Sequence, residues 1–163
     1  MKNSKDVSTE KKISTDALMQ ILMKDRSFHS FLNSNAGEFD ELPFEEYISE
    51  LQEKKGEPAE RIIKRAHIEK SYGHQLFKGA RKPSRDTCLQ LAFGFEMDIE
   101  QAQRLLRAAG KNALYPRVLR DAAVIYSLHN SVSLADTQIV LEELGLPVLG
   151  DRGSNKESRS AGD

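Results

Sequence analysis

Residues 57–84 read EPAERIIKRAHIEKSYGHQLFKGARKPS. Apolar side chains recur in this stretch at the three- and four-residue spacing of helices, on both sides of a break near His67. Gly79 and then Pro83 close the stretch, as glycine and proline commonly do after a helix. The stretch therefore predicts two short helices joined by a turn of three to four residues, with the second helix over about 69–78.

Charge is distributed unevenly around this helix pair. Residues 54–85 carry ten Lys or Arg against three Glu, whereas residues 36–53 carry seven Asp or Glu and no Lys or Arg. The whole chain has a formal net charge of only −1, which argues against a protein that coats DNA without sequence preference. A basic block confined to one helix pair is the electrostatic footprint of a surface that contacts phosphates.

The composition is that of a soluble globular protein. The chain has 163 residues, 39% hydrophobic and 30% charged, and holds one core of ordinary size with room for an appended subdomain. No apolar run approaches about 18 residues, so we expect no membrane-spanning helix. The N-terminal residues lack the apolar stretch of a signal peptide, and Cys88 is the one cysteine, so we expect a cytoplasmic protein without disulfides.

Proline and glycine lie between apolar-periodic segments, which predicts an all-α chain of about eight helices. Two of these helices are predicted near the C-terminus, over 116–129 and from a cap at Ser133 to Leu144. No repeat of 20 to 50 residues is apparent. We expect the following division: a disordered tail (1–14), an N-terminal helical arm with an acidic connector (15–42), a central domain (43–110), a C-terminal helical extension (111–149) and a second disordered tail (150–163).

The central segment resembles the Cro/C1-type (XRE family) helix-turn-helix DNA-binding domain of bacterial and phage regulators. Residues 79–84, GARKPS, match the Gly-x-Arg-x-Pro-Ser signature of that family, and the resemblance covers roughly residues 44–109. It implies a five-helix, lambda-repressor-like domain between the N-terminal arm and the C-terminal helical pair. The function implied is sequence-specific transcriptional regulation, expected to be repression, with double-stranded DNA as the partner.

The resemblance also implies roles for individual residues. The second helix of the pair would enter the major groove as the recognition helix. The candidates for contacting bases are its outward residues Lys70, Ser71 and His74. Gln75 lies beside them on the same face. The phosphate candidates follow in the next loop: Lys78, Arg81 and Lys82. Further attraction is expected from the first helix: Arg61, Lys64 and Arg65.

Proteins of this kind commonly bind DNA as dimers. The C-terminal helical pair is therefore the candidate for homodimerisation or for receiving a signal from an effector protein. Its apolar faces would equally serve to complete the core.

The chain departs from the family pattern at several positions. The turn has His67 where the family prefers glycine, the first helix has Ala59 where glutamine is common, and Phe77 replaces a common acidic residue. A fourth departure is double, with Ile63 where alanine is usual and Gly73 where a β-branched residue is usual. Since this exchange conserves volume, we predict that Ile63 fills the space over Gly73.

Other classes of function are less well supported by the sequence. A protein-interaction adaptor on the same fold, without DNA affinity, is the main alternative, and the acidic segment would then cover the basic helix. The acidic residues of the helix before the pair are expected on its solvent face: Glu45, Glu46, Glu50 and Glu53. The histidines near the turn lack Cys or acidic partners in the sequence around them, so no metal site is expected. No nucleotide-binding or nucleophile motif occurs, so neither a cofactor nor an enzyme is predicted.

Overall fold

The computed structural model describes residues 12–39 and 42–150. Most of both predicted disordered tails, residues 1–11 and 151–163, lies outside these ranges. Within the described residues the chain forms nine α-helices and one 3₁₀ turn, with no strand. The prediction of an all-α chain is confirmed.

The helices follow one another through short connections. They are α1 (Thr15–Lys24), α2 (Phe28–Ser34), the 3₁₀ turn (Ala36–Glu38), α3 (Phe44–Lys55), α4 (Ala59–Arg65), α5 (Lys70–Phe77), α6 (Arg85–Gly94), α7 (Ile99–Ala108), α8 (Leu119–His129) and α9 (Leu134–Glu143).

The predicted helix boundaries agree with the structure where capping residues mark them. Ser84 and Ser133 cap α6 and α9 by accepting hydrogen bonds from backbone N–H groups three residues later. Asp98 and Gln101 form the predicted capping box of α7. The prediction that the next helix starts at Pro116 was wrong: the Val118 N–H donates to the carbonyl of residue 115 at 3.0 Å, which closes a turn before α8 begins.

The described residues divide into two compact units, 12–39 and 42–150. In the first unit α1 and α2 contact each other, and Phe31 is the buried side chain of their described residues. Its ring meets that of Phe39 edge to face at 6.0 Å.

The second unit contains α3 to α9 around one core. Helix α3 packs on α5 and α7, α4 on α5 and α6, and α8 on α7 and α9. The predicted boundary at residue 110 lies inside this unit, whose core runs through to α9: Ile48, Ile62, Leu76, Leu105, Val124 and Leu141 are fully buried.

The structure contains a repeat of 35 residues, although no repeat is apparent in the sequence. Helices α6 and α7 recur as α8 and α9 with an offset of 35 residues, so that Arg85 corresponds to Arg120 and Ile99 to Leu134. The hydrogen bonds recur too. Gln103 exchanges two hydrogen bonds with the backbone of residue 114, and Gln138 exchanges the same two with the backbone of residue 149.

The two helical hairpins contact each other through two reciprocal ion pairs. Arg85 forms a bidentate ion pair with Asp121, and Arg120 forms the equivalent bidentate pair with Asp86, with N–O distances of 2.9–3.0 Å. Because each hairpin supplies the arginine of one pair and the aspartate of the other, the contact is isologous.

The repeat escaped the sequence analysis because few of its residues are identical. Between residues 85–114 and 120–149 six positions match, and all of them serve the repeated contacts or turns. They are Arg85/Arg120, Asp86/Asp121, Gln103/Gln138, Leu106/Leu141, Gly110/Gly145 and Leu114/Leu149.

Candidate nucleic-acid interface

Helices α4 and α5 are joined by residues 66–69, as the sequence predicted. His67 occupies the left-handed region at φ 55°, where the family prefers glycine. The Ile68 N–H donates to the carbonyl of Ile63 at 3.2 Å, which ends α4 and turns the chain towards α5. The backbone of His67 is therefore held in a conformation that L-residues rarely adopt.

The predicted exchange between Ile63 and Gly73 is confirmed. Both residues are buried. A Cβ atom placed on Gly73 would lie 2.5 Å from Ile63 Cγ2 and 2.7 Å from Cγ1. The isoleucine side chain thus occupies the space that a residue larger than glycine would need, and it sets the approach of α4 to α5.

The outward face of α5 carries the predicted base-reading residues together. Lys70, Ser71 and Gln75 are exposed and His74 is half-buried, while Gly73 faces the core with Leu76. The helix begins one residue later than predicted. Glu69 is its N-cap, with carboxylate oxygens that accept hydrogen bonds from the N–H groups of residues 71 and 72 at 2.8–2.9 Å.

A carboxylate on α4 is a part of this surface that the sequence analysis missed. Glu60 Oε1 lies 3.2 Å from Lys70 Nζ and 3.8 Å from His74 Nε2. Glu60 is separated from both partners by the turn, so no local spacing rule marks the contact. A phosphate or base that binds the Lys70 ammonium group must compete with the Glu60 carboxylate.

The loop after α5 carries the predicted phosphate-binding residues, Lys78, Arg81 and Lys82, all exposed. Gly79 has φ 75°, and a Cβ placed on it would lie 3.0 Å from Glu45 Cγ. Glu45 of α3 is thus half-buried against this loop. The prediction that Glu45 lies on the solvent face of α3 was wrong.

Part of the basic block is used inside the fold. Arg65 donates to the Gly94 carbonyl and to Glu57, each at 2.8 Å, so the predicted contribution of Arg65 to DNA attraction is corrected. Lys55 donates to the carbonyl of residue 95 and pairs with Glu57 and Glu96.

Glu57 and Arg85 also form ion pairs within the fold, with different partners. The hydrogen bond from Arg65 to Glu57 lowers the pKa of that carboxyl. Arg85 is committed to Asp121 in the repeat.

Six of the ten basic residues remain available. They are exposed, and among the described residues no carboxylate lies within 4.0 Å of their charged groups: Lys54, Arg61, Lys64, Lys78, Arg81 and Lys82.

A cavity of about 490 Å³ lies beside the turn between α4 and α5. Three of its lining residues are the non-glycine residues with positive φ in the described chain: His67, Glu96 and Ser131, at 54–56°. Each ends a helix, and Glu96 and Ser131 are equivalent by the 35-residue repeat. The two repeated turns therefore meet the turn between α4 and α5 at one cavity.

Cys88 matches its prediction as a buried thiol. It is fully buried on α6, and burial raises its pKa to about 12. A thiol so far from ionisation at neutral pH is a poor nucleophile.

In the part of the chain that the structure describes, no group of three or more His, Cys, Asp or Glu side chains is arranged to hold a metal ion. None of the described helices has both the length and the apolar character needed to cross a bilayer.

Comparison with known proteins gave no match to a family model, to a curated protein or to a solved structure.

Proposed function

We propose that the chain is a sequence-specific DNA-binding transcriptional regulator, acting as a repressor, and that α3 to α7 form a Cro/C1-type, lambda-repressor-like domain. The observation that carries the proposal is the continuity of two surfaces. The outward face of α5, with Lys70, Ser71, His74 and Gln75, runs directly into the exposed cationic loop 78–82.

The dimensions of α5 suit a recognition helix. An α-helix with its side chains is about 10–12 Å in diameter, which fits the roughly 12 Å width of the major groove of B-DNA. Lys70, in the first turn, lies where recognition helices usually contact base edges, and lysine pairs with guanine O6 and N7. Ser71 accepts several bases and contributes less discrimination.

The loop after α5 supplies the phosphate contacts in this proposal. Lys78, Arg81 and Lys82 are free of ion pairs to described carboxylates, so no internal salt bridge has to break when they meet phosphates. With Arg61 and Lys64 they make about five contacts. Log K should then fall with log salt with a slope of about −4 to −5.

The proposal is tested by selecting bound duplexes from fragmented genomic DNA with the full chain. Enrichment of a discrete set of fragments is the expected result. Arg81→Gln with Lys82→Gln should weaken binding to every fragment. Lys24→Gln with Arg26→Gln removes the same charge from exposed positions of the first unit and should leave binding unchanged.

The second candidate function is a protein-interaction adaptor that does not bind DNA. Three acidic side chains at the proposed interface favour it: Glu60 pairs with Lys70, Glu69 caps α5, and Glu45 lies against Gly79. Each would repel phosphates. No recovery of DNA at low salt would support the adaptor, whereas equal recovery of all fragments would show DNA binding without sequence preference. Either result would contradict sequence-specific DNA binding.

A further inference from the structure

The large apolar side chains that the second unit exposes are concentrated in its C-terminal hairpin. Among the described residues from Leu42 to Leu114 one large apolar side chain, Leu42, is exposed, whereas seven are exposed from residue 115 onwards. They are Tyr115, Val118, Leu119, Tyr126, Ile139, Val140 and Leu144.

The repeat explains where these side chains lie. Tyr126 and Val140 of the second hairpin correspond to Leu91 and Leu105 of the first. Leu91 and Leu105 are fully buried, whereas Tyr126 is 66% exposed and Val140 39% exposed. The second hairpin therefore leaves open a face whose equivalent in the first hairpin is covered.

The cover of the first hairpin is helices α3 and α4. One turn after Leu91, a Cβ on Gly94 would lie 2.6 Å from the Ile62 carbonyl of α4. One turn before Leu105, the carbonyl of Gln101 accepts a hydrogen bond from the Tyr47 hydroxyl of α3 at 3.5 Å. Helices α3 and α4 thus cover this face in the first hairpin, and no described helix covers the equivalent face in the second.

We propose that the hairpin face, formed by Val118, Tyr126, Val140 and Leu144, binds the same face of a second copy of the chain. The pairing makes a symmetric dimer through α8 and α9. That such a dimer would read two DNA half-sites rests on the proposed function. The dimer contact itself does not depend on that function.

The area of the face fits this occupant. With Leu119 and Ile139 at its edges, it exposes roughly 500 Å² of apolar surface. A stable interface buries about 800 Å² per partner. The polar residues around the apolar face would supply the area that the apolar side chains do not. The largest apolar patch on a protein surface is typically about 300–600 Å² and is often functional.

The shape of the face favours a second copy over a helix that docks as α4 does. The glycine that admits the α4 backbone in the first hairpin, Gly94, is replaced at the equivalent position by exposed His129. An imidazole there keeps a helix backbone from approaching as closely. Contact through side chains between two matching faces needs no such close approach.

The charges at the two ends of the face are also complementary. Arg117 lies at the end where α8 begins, and Asp136 lies at the opposite end, one turn before Val140. In an antiparallel twofold contact the Arg117 end of one copy meets the Asp136 end of the other. Arg117 and Asp136 can then pair across the rim.

Sedimentation of the full chain over a concentration series, without DNA, tests the dimer. Wild type should dimerise, and Tyr126→Glu should weaken dimerisation by at least about 30-fold, because it places a charge at the centre of an apolar contact. Leu144→Glu is a second variant with the same expectation. Met23→Glu, at a side chain 78% exposed in the first unit, is the matched control and should dimerise as wild type does.

A wild-type chain that stays monomeric across the series, or dimers unaffected by both substitutions while circular dichroism shows folded protein, would overturn the proposal. A monomeric wild type would leave the face to a different protein. The proposed DNA-binding function is tested separately. If the dimer forms but does not bind DNA, the proposed function fails and the dimer stands. If α5 reads DNA, the monomeric Tyr126→Glu variant should still bind a single half-site weakly.

Discussion

At the residue scale, Ile63 and Gly73 set how closely α4 and α5 approach. Gly73→Ala would place a methyl group within 2.5–2.8 Å of three Ile63 atoms. Overpacking of this kind costs about 1–3 kcal/mol, offset by about 0.5–1 kcal/mol from the better helix propensity of alanine. Chemical denaturation should therefore show a net loss of about 1–2 kcal/mol in the free energy of unfolding.

The dependence on Ile63 is checked in the same experiment. In an Ile63→Ala background the methyl group that Gly73→Ala adds enters vacated space, so this second substitution should stabilise the protein. An equal loss in both backgrounds would show that the cost arises elsewhere. Gly37→Ala, at a position with no atom within 4 Å of the added Cβ, is the control.

His67 is the second residue at which local geometry makes a prediction. Its φ of 55° is unfavourable for an L-residue by about 1–2 kcal/mol, whereas glycine loses about 0.5–1 kcal/mol more entropy on folding. His67→Gly should therefore raise the free energy of unfolding by up to about 1 kcal/mol. Ser71→Gly, in the helical region on α5, should lower it. A loss in both variants would contradict the strain ascribed to His67.

At the scale of helix α5, Glu60 restrains the surface that would meet DNA in the proposed function. Glu60→Gln frees Lys70 and removes a charge that repels phosphates. An exposed ion pair is worth about 0.2–1 kcal/mol, so affinity for DNA should rise up to about five-fold in fluorescence anisotropy at fixed salt. Glu100→Gln, an exposed acid on α7, should change affinity less. Weaker binding by Glu60→Gln would mean that Glu60 orients Lys70 productively.

At the scale of the repeated hairpins, the pair of Asp86 with Arg120 makes stability depend on pH. Burial opposes ionisation of Asp86, but hydrogen bonds from Arg120 and the Gly150 N–H outweigh it and lower its pKa below 3.8. Since the folded pKa is lower than the unfolded one, the stabilisation is present above about pH 4 and is lost as pH falls through the folded pKa.

Asp86→Asn tests this linkage. It should reduce the free energy of unfolding at pH 7 by about 1.5–3 kcal/mol, because hydrogen bonds to a charged group are lost. It should also make the further loss between pH 5 and pH 3 smaller than in wild type. Denaturation curves at the three pH values give both results, with Asp16→Asn as control. An unchanged acid dependence would contradict the role of Asp86.

At the scale of the whole molecule, the sequence predicted what local rules determine. The all-α fold, the capped helix ends and the contact of Ile63 with Gly73 follow from spacing within a few turns of chain. Contacts between distant segments do not. Glu60 meets Lys70 across a turn, Glu45 meets Gly79 across 34 residues, and Arg85 is neutralised by Asp121, so the count of basic residues overstated the charge available.

The repeat marks the same limit. Its two hairpins share mainly the residues that hold them together, and the matching Arg–Asp pairs at 85–86 and 120–121 are the longest identical run that they share. What those pairs mean becomes clear only when each arginine is seen to bind the other hairpin's aspartate.

The central claim is that α5 and the loop after it bind DNA. The most direct test measures the affinity of the full chain for a fragment recovered from the genome, as a function of salt concentration. Wild type should show a slope of about −4 to −5 in log K against log salt, and Arg81→Gln with Lys82→Gln should reduce its magnitude by about 2. A slope near zero, or one that this double substitution leaves unchanged, would contradict the claim.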